Sequence, residues 1–314
     1  MQKKSKIYVA GHKGMVGSAI VRELISQGYT NIVTRTRDEL DLLNQKAVTD
    51  FFESEKPEYV FDAAAKVGGI TGNNTFPAEF IYENLTIQNN LIHNAHLHKV
   101  TKFLFLGSSC IYPKFAEQPI KEEALMTGPL EPTNAAYATA KIAGIMMCQS
   151  YRRQYNDNFI SAMPTNLYGT QDNFHPTSSH AIPQIIRKVH EAKLAGAPTL
   201  GGFTDGTPLR EFLHVDDLAR ACIHLMLNYD EPEPINVGTG NDLTMGEVIN
   251  MIAKIVGYEG QIQLDGKIPN GTPRKVLDVS KIHALGWKHT IALEDGIRAT
   301  YEWFCSQDNL RGYQ

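Results

Sequence analysis

Lys6-Ile7-Tyr8-Val9-Ala10-Gly11-His12-Lys13-Gly14-Met15-Val16-Gly17 is a short apolar run that breaks into three glycines spaced three residues apart. A strand that feeds such a turn and then a helix brings backbone N–H groups up to a pyrophosphate, and the helix N-terminus adds partial positive charge. The stretch reads as a dinucleotide site, with Gly11, Lys13, Gly14, Met15, Val16 and Gly17 as its contact residues. Its spacing is G-x-x-G-x-x-G rather than the commoner G-x-G-x-x-G, and by itself a strand-to-helix turn without a ligand would read the same way.

Outward from this turn, apolar runs recur at 7–10, 31–34, 59–64, 102–106 and 159–163, between helix-period segments at 15–27, 45–55, 78–98 and 134–155. Strand alternating with helix means parallel strands joined by crossovers, hence an α/β chain with a doubly wound parallel sheet. After Tyr168-Gly169 a Pro-, Asn- and His-rich stretch, Gln171 to His180, leads into a helix at 180–194 and then into elements without regular alternation. The expected division is a Rossmann dinucleotide-binding domain over 1–169, joined by 211–240, and a smaller α+β substrate lobe over most of 170–314. Strands at 212–215 and 234–237 are the candidates for return to the first sheet. Asp216-Asp217 reads as the N-cap of the helix that follows.

A net charge of −4 leaves no broad basic surface for nucleic acid. No apolar run approaches the roughly 20 residues of a bilayer span, and Met1-Gln2-Lys3-Lys4-Ser5 lacks a signal-peptide core. The four cysteines form no C-x-x-C pair, so neither a disulfide framework nor a metal knuckle is expected. These features predict a cytoplasmic protein without a metal. The segment 134–155 is apolar or small almost all round, so one face packs on the sheet and the other needs cover. A second copy supplies it most simply, predicting a homodimer through the helices at 78–98 and 134–155.

The run 102–106 ends in Gly107-Ser108-Ser109-Cys110, at the sheet edge where open α/β folds bind ligands. Tyr137 and Lys141 follow at i,i+4, on one face of a helix. An ammonium beside a phenol favours the phenolate, which would bring Tyr137 toward proton exchange near neutrality, with the Ser108 hydroxyl sharing the bond to a carbonyl oxygen. An NAD site ends its second strand in Asp or Glu, whereas NADP needs cations for the 2′-phosphate. Here that strand ends Thr34-Arg35-Thr36-Arg37, with Lys13 in the glycine turn, so NADP is expected.

With these residues in place the chain resembles the extended short-chain dehydrogenase/reductases. Within them it is similar to the dual-function 3,5-epimerase/4-reductases that convert GDP-4-keto-6-deoxy-D-mannose to GDP-L-fucose. The segments carrying the likeness include Gly107-Ser108-Ser109-Cys110-Ile111-Tyr112-Pro113, Asp172-Asn173-Phe174-His175-Pro176, Arg210-Glu211-Phe212-Leu213-His214-Val215-Asp216-Asp217 and Gly271-Thr272-Pro273-Arg274-Lys275. The resemblance implies a catalytic triad of Ser108, Tyr137 and Lys141. It also implies that Cys110 and His180 are the proton carriers for epimerisation, a thiol and an imidazole that titrate near neutrality. It places Lys141, Asn166, Leu167 and His180 toward the cofactor. Lys188 and Arg210 are placed toward the pyrophosphate of a GDP-sugar, Phe203 at its base or sugar, and Asp278 near the nucleotide sugar. The rival readings are a nucleotide-sugar 4-epimerase or 4,6-dehydratase that recycles NAD, and a non-catalytic NADP-sensing module.

Overall fold

The computed structural model describes residues 1–307 apart from 177 and 269. Six strands form one parallel sheet: β1 (Ile7–Ala10), β2 (Ile32–Val33), β3 (Tyr59–Asp62), β4 (Lys102–Leu106), β5 (Phe159–Pro164) and, from much later in the chain, β10 (Ile235–Val237). Their order is β2-β1-β3-β4-β5-β10, so the chain reverses direction across the sheet between β1 and β3. A crevice opens outside the carboxyl ends of the strands at such a switch point. The connecting helices are α1 (Met15–Ser26), α2 (Gln45–Glu55), the short α3 (Ile70–Thr75), α4 (Pro77–Leu97) and α5 (Ala135–Tyr155). Local chemistry sets their ends. The Asn44 side chain accepts from Ala47 N–H to start α2, Pro77 opens α4, and left-handed Asn156 closes α5.

The remaining strands form small sheets. β6 (Asn166–Tyr168) pairs with β9 (Phe212–His214), β7 (Thr199–Leu200) with β12 (Gln261–Ile262), and β8 (Leu209–Arg210) lies between β11 (Leu243–Thr244) and β13 (Arg274–Lys275). The helices of this half are α6 (Ala181–Leu194), α7 (Val215–Asn228), α8 (Met245–Val256), α9 (Ser280–Ala284) and α10 (Leu293–Cys305). Two apolar cores result. One surrounds the six-stranded sheet and takes in Leu218 and Cys222 of α7 with Leu277, Ile282 and Trp287. The other joins Tyr168, Phe174 and Phe203 to the inner faces of α6, α8 and α10.

Two expectations are corrected. The strand at 212–215 does not return to the first sheet; β9 pairs in parallel with β6 instead, Phe212 facing one core and Leu213 the other. Only the run at 234–237 joins the sheet, as β10 beside β5. Nor does Asp216-Asp217 cap α7. The cap is His214, whose Nδ1 accepts from Asp216 N–H at 3.2 Å. Asp217 is wholly buried and accepts from Thr290 and Ile291 N–H, each at 2.9 Å, while Asp216 pairs with Arg22. Among the described residues no helix is long and apolar enough to cross a membrane.

Candidate active site

The glycine turn is built for close approach. Gly11 has φ +75°, and a Cβ there would stand 2.7 Å from the Ala63 carbonyl oxygen at the end of β3. A Cβ on Gly17 would lie 2.3 Å from the oxygen of Gly11. Side chains are thereby kept out of the space between β1, β3 and the start of α1, where Gly14 is the N-cap. Met15 and Val16 begin α1, half-buried against the first core. Lys13 and Arg37 are exposed, and Arg37 has no ion pair among the described residues. Arg35 lies over the Phe51 ring at 5.6 Å and is paired with Glu55, with a further bond to Thr34 O at 2.8 Å.

One strand further along, β4 delivers Ser108, extended at φ −163° and ψ 147°, into a single 3₁₀ turn whose Cys110 N–H donates to the Ser108 hydroxyl at 3.2 Å. The first turn of α5 brings Tyr137 to the same place, in hydrogen-bonding contact with Ser108. Burial pushes the Tyr137 phenol well above its usual range, the charge of Cys110 adds to this, and the Ser108 bond opposes it. Lys141 is buried one turn on, donates to Leu106 O at 2.8 Å and sits 4.7 Å from the Phe105 ring centre. Burial lowers its pKa, and the charge of Asp62 opposes that. Lys141 is turned to Leu106 and Asp62, and the group easing the phenol's proton is Ser108.

Across from Ser108, Lys275 of β13 donates to Cys110 Sγ at 3.5 Å. His180 is the N-cap of α6, its pKa lowered first by the protein around it and then by the Lys275 charge. Cys110, Tyr137, Lys275 and Arg210 are half-buried and His180 is exposed. These groups act on one another's charge, Cys110 on Tyr137 and Arg210, and Lys275 on His180, so they share one neighbourhood. Arg210 on β8 donates to Leu209 O at 2.8 Å and Asn270 O at 3.1 Å, with no carboxylate partner among the described residues. Burial lowers its pKa, and the charge of Cys110 pulls the other way. Two backbone carbonyls hold its guanidinium in place.

The other expected contacts are more remote. Lys188 donates to Gly202 O and lies 4.7 Å from the ring centre of Phe203, which is itself only 3% exposed. Asn166 donates to Glu211 O at 2.7 Å from β6, the strand that also carries Leu167. The Asp278 carboxylate accepts from Ser280 N–H at 2.9 Å, which is a turn-capping role. Two residues escaped the sequence reading. They are Lys275, at the end of the segment Gly271 to Lys275, and Asp62, a buried carboxylate at the end of β3. A local signal for Asp62 existed, since it interrupts the apolar run Tyr59-Val60-Phe61-Asp62-Ala63-Ala64. Among the described residues no group of three or more His, Cys, Asp or Glu could hold a metal ion.

Residues 7–238 match the NAD dependent epimerase/dehydratase family. The chain belongs to that family. As an epimerase/dehydratase family member it is 55% identical over 319 residues to the GDP-L-fucose synthase of Escherichia coli (strain K12), covering 98% of this chain and 99% of that one. Among solved structures it superposes on a GDP-6-OMe-4-keto-L-xylo-heptose reductase from C. jejuni with a TM-score of 0.93 and 42% identity, over 98% of this chain and 99% of that one. A GDP-L-fucose synthetase from Naegleria fowleri bound to NADP gives a TM-score of 0.89 at 28% identity, over 97% and 95% of the two chains.

Proposed function

We propose that this enzyme converts GDP-4-keto-6-deoxy-D-mannose to GDP-L-fucose, inverting the two carbons that flank the ketone and then reducing the ketone with NADPH. The observation that carries this reading is the convergence of two proton-handling sets in one neighbourhood: Ser108 with Tyr137 and Lys141, and Cys110 with His180 and Lys275. The likeness to GDP-L-fucose synthase along nearly the whole of both chains supports it. A 4-epimerase that returns its hydride to the same carbon has no need of the second set, a 4,6-dehydratase would use such a set but consumes no NADPH overall, and a mere sensor needs neither.

NADPH fits the glycine turn, because Gly11 and Gly17 keep side chains out of the space at the start of α1, and Lys13 within the turn and Arg37 after β2 are exposed cations. When bound, NADPH supplies the hydride for the ketone. The residues Gly11, Lys13, Gly14, Met15, Val16, Gly17, Arg35, Arg37, Asn166 and Leu167 would hold it, with Lys141 and His180 at the reacting end.

Epimerisation requires a proton to leave each carbon next to the ketone and another to arrive from the opposite face. Lys275 places positive charge beside the Cys110 thiol, where base chemistry gains from it. Burial first, and then the same charge, disfavours imidazolium at His180, so the ring rests neutral near pH 7 and, once protonated, gives its proton up readily. In the reduction Tyr137 keeps its proton until an alkoxide forms within reach, while Ser108 orients both phenol and carbonyl oxygen. Arg210 and Lys188 meet the pyrophosphate, and Phe203 and Asp278 act behind the nucleotide-sugar pocket rather than by open contact.

Incubation with GDP-4-keto-6-deoxy-D-mannose and NADPH tests the reading. GDP-L-fucose is the expected product; GDP-6-deoxy-D-talose or GDP-D-rhamnose would mean reduction without epimerisation, and an unconsumed cofactor would end the proposal. The same reading keeps the two lobes, 1–169 with 211–240 and most of 170–314, as the cofactor and substrate halves of a cytoplasmic enzyme. It also keeps the homodimer. Tyr82 on α4 and Met146 on α5 are exposed, and a depression of about 510 Å³ bordered by Thr86, His93 and Met147 lies between those helices. A monomer at micromolar concentration in sedimentation would overturn that arrangement.

A further inference from the structure

Asp62 is 1% exposed and Lys141 is 3% exposed. Asp62 closes β3 in register with Phe105 of β4, and Lys141 reaches the next residue of that strand, donating to Leu106 O with its ammonium near the Phe105 ring. One Asp62 oxygen accepts from Ala64 N–H at 3.1 Å; the other, Oδ2, is buried without a partner. A carbonyl and a ring face solvate an ammonium incompletely, and a buried cation without a counter-charge gives up its proton. We propose that Asp62 is the positioning residue that supplies this counter-charge, holding Lys141 as an ammonium at the reducing end of the site. The inference rests on the reading of Lys141 as part of the reduction machinery.

The charges acting here are few. Asp62 faces Lys141 and Cys148 on α5 and Tyr8 on β1, and of these Lys141 alone is a cation. Burial raises the Asp62 carboxyl and the Lys141 charge and the Ala64 N–H pull it back, leaving it at about 6, while Asp62 in turn opposes the fall that burial imposes on Lys141. The pair is thus reciprocal, although the two groups make no direct ion pair. An ionised Asp62 with a charged Lys141 leaves the interior neutral in sum. An ionised Asp62 alone does not.

Asp62→Asn keeps the shape and removes the charge. The alkaline limb of the pH profile for NADPH-dependent reduction should then move to lower pH by about one to three units, the range that an opposite charge nearby confers. A purely structural role would scale the profile without moving the limb. Urea unfolding of the full chain provides a reading independent of activity. In Lys141→Met the carboxyl loses its only cation and takes up a proton on folding at higher pH, so stability relative to wild type should fall as pH rises from about 6 to 8. Adding Asp62→Asn should abolish that slope. A limb left in place, or a Lys141→Met stability difference independent of pH, overturns the proposal. If Lys141→Met instead reduces the keto sugar at the wild-type rate, the reading of Lys141 itself fails, whatever Asp62 does.

Discussion

Tyr137 and Cys110 are electrostatic neighbours, yet the two half-reactions ask different things of them. Reduction needs a proton donor at the former ketone, and under the proposed function Tyr137, held neutral by burial, is that donor. Tyr137→Phe should cut reduction by about 100- to 10,000-fold, the usual contribution of a general acid, while solvent deuterium still enters the carbons beside the ketone. Cys110→Ser should do the opposite. It replaces a thiol with an alcohol that does not ionise near neutrality, so deuterium entry should fall to near zero while a slow reduction of the unepimerised sugar persists. Proton NMR of products formed in deuterated water reads both variants at once, and matching losses in both would refute two separate proton carriers. The Tyr-x-x-x-Lys pair was legible because a helix fixes which residues share a face. Lys275 was not. Its contact with Cys110 spans 165 residues and depends on how β13 lies against β8, which no local pattern encodes.

Among the elements, the glycine turn was fully readable because close backbone approach leaves few residues that fit. Gly17→Ala adds one methyl, but its nearest neighbours are backbone atoms of Gly11 and His12, which cannot swing aside as a side chain would. Overpacking of this sort costs roughly 1–3 kcal/mol. The variant should melt several degrees below wild type and bind NADPH at least about tenfold more weakly, as calorimetry and cofactor titration would register; wild-type values in both would mean the turn does not cradle the cofactor. The start of α7 shows the opposite case. Two acidic residues before an apolar helix look like a cap, but Asp217 is claimed by N–H groups of Thr290 and Ile291, more than seventy positions away, and His214 takes over the cap. Strand β9 was misplaced for a similar reason. Its apolar run was evident, but each face belongs to a different core, which looks locally like a strand buried within a single sheet.

At the scale of the whole molecule, the segment 210–213 is where the two cores meet, and a single buried carboxylate holds it. Glu211 is inaccessible to solvent, sits between Arg210 of the site and the divided strand β9, and accepts from four groups on two distant segments. Its Oε1 takes the N–H groups of Thr239 and Gly240 and the Thr239 hydroxyl; its Oε2 takes Leu277 N–H at 2.9 Å. Burial raises its pKa, while those donors favour the ionised form and act against the rise. The geometry demands two accepting oxygens. Glu211→Gln offers only one, so whichever way the amide turns, at least one buried backbone N–H faces another donor. Such a group costs about 1–3 kcal/mol when left unpaired. Because the bonds tie β10's exit loop and the approach to α9 onto the strand beside Arg210, the loss should appear twice. The melting temperature should drop by several degrees, and the affinity for GDP, read by titration of the free nucleotide, should weaken as Arg210 loses its fixed backbone. Retention of both the wild-type melting temperature and the wild-type GDP affinity would show that the two cores are joined without Glu211.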